Sequence, residues 1–313
     1  MKIPFRNIEM RLKGEVVGCG LQGRDCLALG LKASRHGKWI IDWSLAGSLD
    51  DGFFASRLAK NVGKNHFWVS PSEEGGLQVE IARAIEIPDA KGMKQSERID
   101  FFTTQIKNCF VNETVVCGGL RVKGVIAKGG VQANAVHNVG GGAIRDNVKR
   151  DYLDWYSRMK IRRPHIASTA LAIANAYLAL YPEENRRDNP LRLIILKGRS
   201  VYHAILMDDW RYIDEVLLPR MKGDDENPIV IKGRVEDWIK YLNSQHPELA
   251  DGCEIRPLVI AVSENWKSSY EHWDLWGEYA QERIEMTGET AQAILENRDI
   301  APIAFGMALQ GGC

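Results

Sequence analysis

Two stretches of this sequence share one hydrophobic pattern: an apolar run, a glycine-containing turn and a second apolar run. The first stretch is Val16–Leu31 and the second is Leu193–Leu206. Apolar runs of this length that flank a glycine turn are typical of β-hairpins. Because the pattern occurs twice, about half a chain apart, it predicts two related lobes that face one cleft.

The first half continues with further strands and a helix. Three runs predict an antiparallel meander: Glu15–Cys19, Cys26–Lys32 and Trp39–Leu45. The stretch Ser48–Val62 has apolar residues every four positions, at Phe54, Leu58 and Val62. This spacing predicts an amphipathic helix, and Ser48 or Asp50 is its predicted N-cap.

The middle of the chain is predicted to hold a loop and two helices. Gly129–Gly142 is rich in glycine and asparagine, which predicts a loop around one strand. Apolar residues at helical spacing then predict a helix that Pro164 ends; they are Ile144, Val148, Tyr152, Trp155 and Met159. Ile166–Tyr181 is apolar nearly all round, which predicts a buried helix. The polar stretch Pro182–Pro190 is the best candidate boundary between lobes.

The second half repeats the scheme of the first. Its predicted strands are Leu191–Leu196, Val201–Met207, Arg211–Leu218 and Arg256–Val262. A helix is predicted through Val235, Trp238, Ile239 and Leu242, and the chain closes with the apolar segment Ala301–Leu309. Repeated hairpin-plus-helix units predict an α/β fold with mixed sheets in two layers.

Composition excludes several classes of function. The 313 residues include 41 Lys and Arg and 41 Asp and Glu, so no net charge attracts nucleic acid or anionic lipid. No run of about 18 apolar residues predicts a membrane span, and Met1–Val17 lacks the apolar core of a signal peptide. We therefore expect a cytoplasmic protein that binds no nucleic acid. The six cysteines form no CxxC pair, which favours buried thiols over a metal site.

The order of these elements resembles the actin-like ATPase superfamily, and within it the PilM family of type IV pilus assembly. The cytoplasmic domain of the GspL family of type II secretion is nearly as similar. Four segments carry the resemblance: Val17–Leu21 resembles the opening strand and turn, Arg83–Pro88 the strand before an inserted subdomain, Ile144–Tyr181 the inter-lobe region, and Ala301–Leu309 the closing segment. The resemblance covers most of the chain, and no single motif decides it.

The resemblance implies a two-lobed actin-like fold built from duplicated, mixed-sheet, ribonuclease-H-like domains. Residues 1–187 would form the first lobe, with an inserted subdomain at about 89–130. Residues 188–313 would form the second lobe, and their last segment would pack back onto the first lobe.

The chain departs from this superfamily where nucleotide chemistry needs acids. The family's first Asp falls on Gly20, or on Cys19 if the register slips, and its second falls within Leu196–Gly198. Such acids position Mg²⁺ and the attacking water in phosphoryl transfer. Trp266 stands where the family has glycines beside the adenine. We therefore predict no catalytic residue, no metal and no ATP or Mg²⁺ cofactor, with ATP binding left open as the alternative.

The candidate binding residues are the glycines and polar groups of the two hairpins. Glycine amides at Gly18, Gly20 and Gly23 could hold a phosphate in the first hairpin, and Gly198, Arg199 and Ser200 could hold an anion in the second. The alternative interpretation is that both turns simply need glycine, and the missing acids favour it.

Several other features of the sequence have both a functional and a purely structural interpretation. His137–Gly142 could form an anion site before a helix or a plain loop, and the basic run Lys149–Arg163 could meet acidic lipid or be a solvated face. Asp208–Asp209 fits a turn, and Asp214–Glu215 fits a strand whose neighbours point to opposite faces. The aromatic cluster Trp266, Tyr270, Trp273, Trp276 and Tyr279 could be core or a partner surface.

The resemblance implies a cytoplasmic adaptor at the inner face of the inner membrane. Such a protein would bind the N-terminal tail of a PilN-like inner-membrane partner in a groove near about Met93 to Gly130, and other pilus assembly proteins are further candidate partners. The alternative is an ATP-dependent sugar or small-molecule kinase of the same superfamily, for which Asp25 and Asp208 are the nearest candidate acids.

Overall fold

A computed structural model describes the fold over residues 14–33, 38–70, 80–87, 115–119, 137–161, 164–181, 191–208, 211–221, 228–245, 254–260, 270–274 and 276–310, together with 94, 97, 100, 104, 223 and 247. The described strands are β1 (Val16–Gln22), β2 (Asp25–Ala33), β3 (Trp39–Ser48), β4 (His66–Val69), β5 (Glu80–Ile87), β6 (Val115–Gly119), β7 (His137–Arg145), β8 (Pro164–Ile166), β9 (Leu191–Lys197), β10 (Val201–Asp208), β11 (Arg211–Pro219), β12 (Arg256–Ile260), β13 (Glu271–Trp273) and β14 (Ile284–Met286). The described helices are α1 (Gly52–Val62), α2 (Asp146–Arg158), α3 (Thr169–Leu180), α4 (Pro228–Gln245), α5 (Glu278–Arg283), α6 (Gly288–Glu296) and α7 (Ala301–Gln310).

Two sheets share one strand arrangement. In the first sheet the order is β14-β3-β2-β1-β4-β8, and in the second it is β11-β10-β9-β12-β13. In each, three consecutive strands run antiparallel, a later strand pairs in parallel with the first of them, and a further strand pairs in parallel with that one. The first sheet also contains β14, which pairs in parallel with β3. The duplication that the hairpin pattern predicted is therefore confirmed at the level of topology.

Two buried helices lie between the sheets. In α3 all residues except Asn175 and Leu178 are buried, and every residue of α7 is buried. One continuous core joins these helices to Leu27 and Leu29 of the first sheet and to Ile194 and Leu196 of the second. The all-round apolar character of Ile166–Tyr181 correctly predicted a buried helix, although Ile166 itself lies in β8.

Glycine makes this central packing possible. A Cβ atom at Gly18 would overlap the backbone of Ala304, and one at Gly306 would overlap the carbonyl oxygen of Ala172. A Cβ at Gly20 would lie 2.8 Å from the carbonyl oxygen of Ile300. The backbone of α7 therefore lies directly on β1 and on α3, at distances that only glycine permits.

Further helices cover the outer faces of the sheets. Phe54, Leu58 and Val62 of α1 pack on the first sheet with Val17 and Cys19. On the second sheet, α4 contributes Val235 and Leu242 to a cluster with residues from β9 and β10. Side chains therefore alternate between the central core and an outer core along these strands, as a strand buried on both faces requires.

The structure corrects the predicted end of β3, the predicted start of α1 and the assignment of His137–Gly142 to a loop. β3 extends through Ser48, so α1 starts later than predicted, at Gly52. The N-cap of α1 is Asp51, whose side chain accepts a hydrogen bond of 2.8 Å from the Phe53 N–H. The glycine-rich stretch His137–Gly142 belongs to strand β7 instead of a loop, because it pairs with both β5 and β6. It therefore offers no loop of free amides before α2.

The end of α2 also differs from the prediction. The helix ends at Arg158, before Pro164, because Lys160 adopts a left-handed conformation with φ 61° and the Ile161 N–H bonds to the Tyr156 carbonyl at 3.0 Å. Such a left-handed residue satisfies the last carbonyls of a helix. Tyr156, which stands outside the predicted apolar positions, is fully buried on this helix.

A third sheet has the order β5-β7-β6, and of these strands β6 lies within the predicted inserted subdomain. Most of residues 89–130 lie outside the described residues, as do the predicted boundary at Pro182–Pro190 and Trp266. The helices that the structure describes are all too short or too polar to cross a lipid bilayer.

The close contact between α7 and α3 gives a test of the fold. Gly306→Ala should lower the free energy of unfolding by about 3 kcal/mol, because the added methyl group forces two buried helices apart. Urea denaturation measures this change.

Gly233→Ala is the matched control, since Gly233 lies exposed in α4 with no atom within 4 Å of an added Cβ. It should raise stability by about 0.5–1 kcal/mol, as expected for alanine in place of glycine in a helix. Equal effects of the two substitutions would contradict the packing described here.

Candidate functional site at the hairpin junction

The first hairpin turns tightly at Gly23 and Arg24. Gln22 and Asp25 are the last paired residues of β1 and β2, so two residues form the loop. Gly23 has φ 60°, and glycine at the first of two loop positions is typical of a type II′ turn. The glycine is therefore required by the turn itself, and of the two loop residues Gly23 is buried while Arg24 is exposed.

The second hairpin turn, at Gly198–Ser200, is held by an arginine from the next strand. The Gly198 N–H donates to the Val201 carbonyl at 2.8 Å. The Arg220 guanidinium donates to the carbonyls of Gly198 and Arg199 at 2.9 and 2.7 Å, and the Arg220 N–H donates to the Ser200 carbonyl at 2.8 Å. Arg220 thus fixes the path of this turn, a role that the sequence pattern did not indicate.

The two hairpins meet through one side chain, that of Gln22. Its amide nitrogen donates to the carbonyl of Lys197, at the end of β9, at 3.0 Å. The same nitrogen donates to the carbonyl of Asp299, just before α7, at 3.3 Å. Gln22 is buried, with 4% of its surface exposed. We call the contact of Gln22 with Lys197 and Asp299 the hairpin junction.

Charged groups surround the hairpin junction. Burial raises the pKa of the Asp299 carboxyl group, and the nearby negative charge of Asp25 acts in the same direction. The backbone N–H groups of Asp299 and Ile300 and the positive charge of Lys197 oppose this shift. The Asp299 carboxyl group, whose backbone carbonyl accepts from Gln22, is therefore within electrostatic range of one carboxyl and one ammonium group.

The structure brings together only some of the predicted binding residues. Gly23 lies at the first turn, and Gly198, Arg199 and Ser200 lie at the second, on the two hairpins that Gln22 connects. Gly18 and Gly20 lie inside β1, where both pair with β2 and contact α7 or the residue just before it. The close approach of α7 is sufficient to explain glycine at both positions.

The structure does not bring the predicted acidic candidates together at one site. Asp25 lies at the first turn, whereas Asp208 pairs with Leu191 at the opposite end of the second hairpin from its turn. Leu196, where the family has an acid, is fully buried in the central core. Glu215 lies 3.0 Å from the buried ring of His203, within the second sheet.

Other candidate features have structural roles where the structure describes them. Trp273 and Trp276 belong to the central core, while Arg150, Arg158 and Lys160 of the basic run are exposed. Cys19 and Cys26 are free, buried thiols whose sulfur atoms lie 3.2 Å apart. Among the described residues, no three His, Cys, Asp or Glu side chains gather closely enough to hold a metal ion.

Comparison with known proteins establishes the class of fold. No protein-family model matches the sequence, and no curated protein matches it. A solved PilM-PilN type IV pilus biogenesis complex is similar with a TM-score of 0.61 at 11% identity, over 96% of this chain and 99% of that chain. A TM-score of this size shows a shared fold.

Two further solved structures have lower similarity. A Bacteroides thetaiotaomicron protein with an actin-like ATPase fold has a TM-score of 0.40 at 10% identity, over 95% of this chain and 99% of that chain. The ethanolamine utilization protein EutJ of Carboxydothermus hydrogenoformans has a TM-score of 0.36 at 9% identity, over 99% and 100%. The protein described here has the two-lobed actin-like ATPase fold, as its sequence predicted.

The charge at Asp299 gives a pH-dependent test. Since its folded pKa is raised, the carboxyl group binds its proton more tightly in the folded state, and its contribution to stability increases as pH falls through that raised pKa. Asp299→Asn should remove this increase and should not lower stability at neutral pH. Urea denaturation at a series of pH values measures both effects.

Asp237→Asn is the control, because it removes the same charge at an exposed position of α4. In this variant, the contribution that increases stability as pH falls should be the same as in the wild type. Loss of this increase in Asp237→Asn, or its retention in Asp299→Asn, would contradict the electrostatics assigned to the hairpin junction.

Proposed function

We propose that this protein is a PilM-like adaptor that binds the cytoplasmic tail of an inner-membrane protein. The observation that carries the proposal is the shared fold with the PilM-PilN complex, which extends over nearly the full length of both chains. The segments that resemble the PilM family also fall in the elements that define the fold, β1 and α7 among them.

The proposed ligand is an N-terminal tail peptide of a PilN-like protein, and other pilus assembly proteins are secondary partners. The peptide would bind beside the inserted subdomain, at about 89–130. Strand β6 lies in this region and, among the described strands, occupies one end of the third sheet. Apolar anchors would supply affinity, and pairing with a strand edge would fix the register of the peptide.

This partner would also determine location. The protein would be cytoplasmic and held at the inner membrane through its bound tail peptide, with no need for a membrane anchor of its own. The equal numbers of acidic and basic residues support protein recognition in preference to binding of nucleic acid.

The residues at the hairpin junction do not fit a Mg²⁺–ATP site. A phosphate group needs hydrogen-bond donors directed at it, and Mg²⁺ needs carboxylate oxygens. Here the amide of Gln22 connects the two hairpins, and Leu196 is apolar and buried. We therefore propose that the adaptor binds its partner without nucleotide, and we derive no phosphoryl-transfer step.

A kinase of the same superfamily is the second candidate function. The observation in its favour is that Asp25 lies close enough to Asp299 for its negative charge to help raise the pKa of the Asp299 carboxyl group. This candidate predicts a bound nucleotide, whereas the adaptor does not require one.

The main test is calorimetric titration with a synthetic peptide. The peptide is the N-terminal cytoplasmic tail of a PilN-like inner-membrane protein from the same genome, and a scrambled peptide is the control. We expect equal binding of the authentic tail with and without ATP and Mg²⁺, and no binding of the scrambled peptide. Absence of heat for the authentic tail under both conditions would overturn the proposal.

A thermal-shift measurement separates the two candidate functions. ATP with Mg²⁺ should leave the melting temperature unchanged, because a ligand stabilises a protein only when it binds the native state. A clear, concentration-dependent rise with ATP and Mg²⁺, but not with Mg²⁺ alone, would favour the kinase or a nucleotide-switched adaptor.

A further inference from the structure

The hairpin junction connects three segments that are far apart in the sequence. Gln22 lies 175 residues from Lys197 and 277 residues from Asp299. Lys197 belongs to the second lobe, and Asp299 leads into α7, which packs on the first sheet and on α3. A single amide group therefore fixes the first hairpin to the other lobe and to the start of the helix between the sheets.

We propose that Gln22 is a built-in latch that holds the two lobes together in the absence of any ligand. A side-chain amide nitrogen carries two hydrogens, and here both are directed at backbone carbonyls of other segments. A ligand that separated the two hairpin turns would have to break these hydrogen bonds. The proposal depends on the fold and the junction alone, and is independent of the proposed tail peptide.

Burial gives the latch its strength. Because Gln22 is almost entirely buried, separation of the hairpins would leave its amide and two carbonyls without their partners until water enters. Asp25, Lys197 and Asp299 supply the charges near the amide. The neutral amide of Gln22 donates to two carbonyl oxygens without adding a further charge beside Asp25, Lys197 and Asp299.

The latch lies where it can control the separation of the two hairpin turns. The central core, including α3 and α7, forms the continuous contact between the sheets, and Gly306 allows these helices to touch. The hairpin junction lies at the N-terminal end of α7, beside the first hairpin turn. Breakage of the junction would free the two turns to separate while the packed helices stay together.

Hydrogen exchange on the full chain tests the latch locally. Gln22→Ala should lower the protection of amides at Gly198–Val201 and around Asp299 by about tenfold, the effect of losing roughly one net hydrogen bond. Amides at the centre of α4 should keep their wild-type protection. A general loss of protection throughout the chain, or none at all, would overturn the proposal.

Gln281→Ala is the matched control. The Gln281 amide also donates to a backbone carbonyl, that of Trp276 at 3.4 Å, but within one short segment. This variant should leave protection at Gly198–Val201 unchanged. If both alanine variants alter that turn equally, Gln22 has no special role between the lobes.

Gln22→Glu provides a second test should the alanine variant fail to fold. The substitution keeps the shape but places a carboxylate against two carbonyl oxygens, with Asp25 and Asp299 nearby and Lys197 opposing. Such a carboxyl group should have a raised pKa, so the protonated form, which can donate one hydrogen bond, is favoured in the closed state. Protection at Gly198–Val201 should therefore be lowest at neutral pH and should recover as pH falls. A profile that parallels the wild type across this range would overturn the latch.

Discussion

The contact of the α7 backbone with β1 and α3 is the constraint on which the rest of this structure depends. Gly18, Gly20 and Gly306 remove the side chains that would separate these elements. Because α7 follows the second lobe in sequence yet packs on the first sheet, this contact draws both sheets onto one core. A duplicated fold whose halves merely faced each other would have no such shared interior.

That packing also determines what the hairpins can do. When α7 lies on β1, its preceding residue Asp299 comes to the end of the first hairpin, where Gln22 can reach both it and Lys197. The glycines of β1 are then explained by helix packing, and a phosphate is not needed to account for them. The chemistry of the junction is consequently that of a neutral amide joining backbone carbonyls.

The sequence was sufficient to predict most of the architecture, for identifiable reasons. Alternating and apolar runs marked the strands of both hairpins, and the all-round apolar stretch before Tyr181 marked α3, because burial on every side leaves a direct signature. One strand was predicted around Gly129–Gly142, but His137–Gly142 was assigned to a loop, because its glycines resemble a loop when their partners in β5 and β6 are unknown. Asp51 was missed as a cap because β3 continues through Ser48.

The candidate site was harder to predict, because its important residues act across large sequence separations. Gln22 has no local feature that distinguishes it from any polar residue beside a turn, and Arg220 lies a full strand away from the carbonyls that it holds. A search for acids and glycines therefore found both turns but not the side chains, Gln22 and Arg220, that hold them. Once the turns meet, a side chain that donates twice can replace the ligand that would otherwise be needed to hold two lobes together. In the proposed latch, closure of the fold is a property of the chain itself, which suits the proposed binding of a partner without nucleotide.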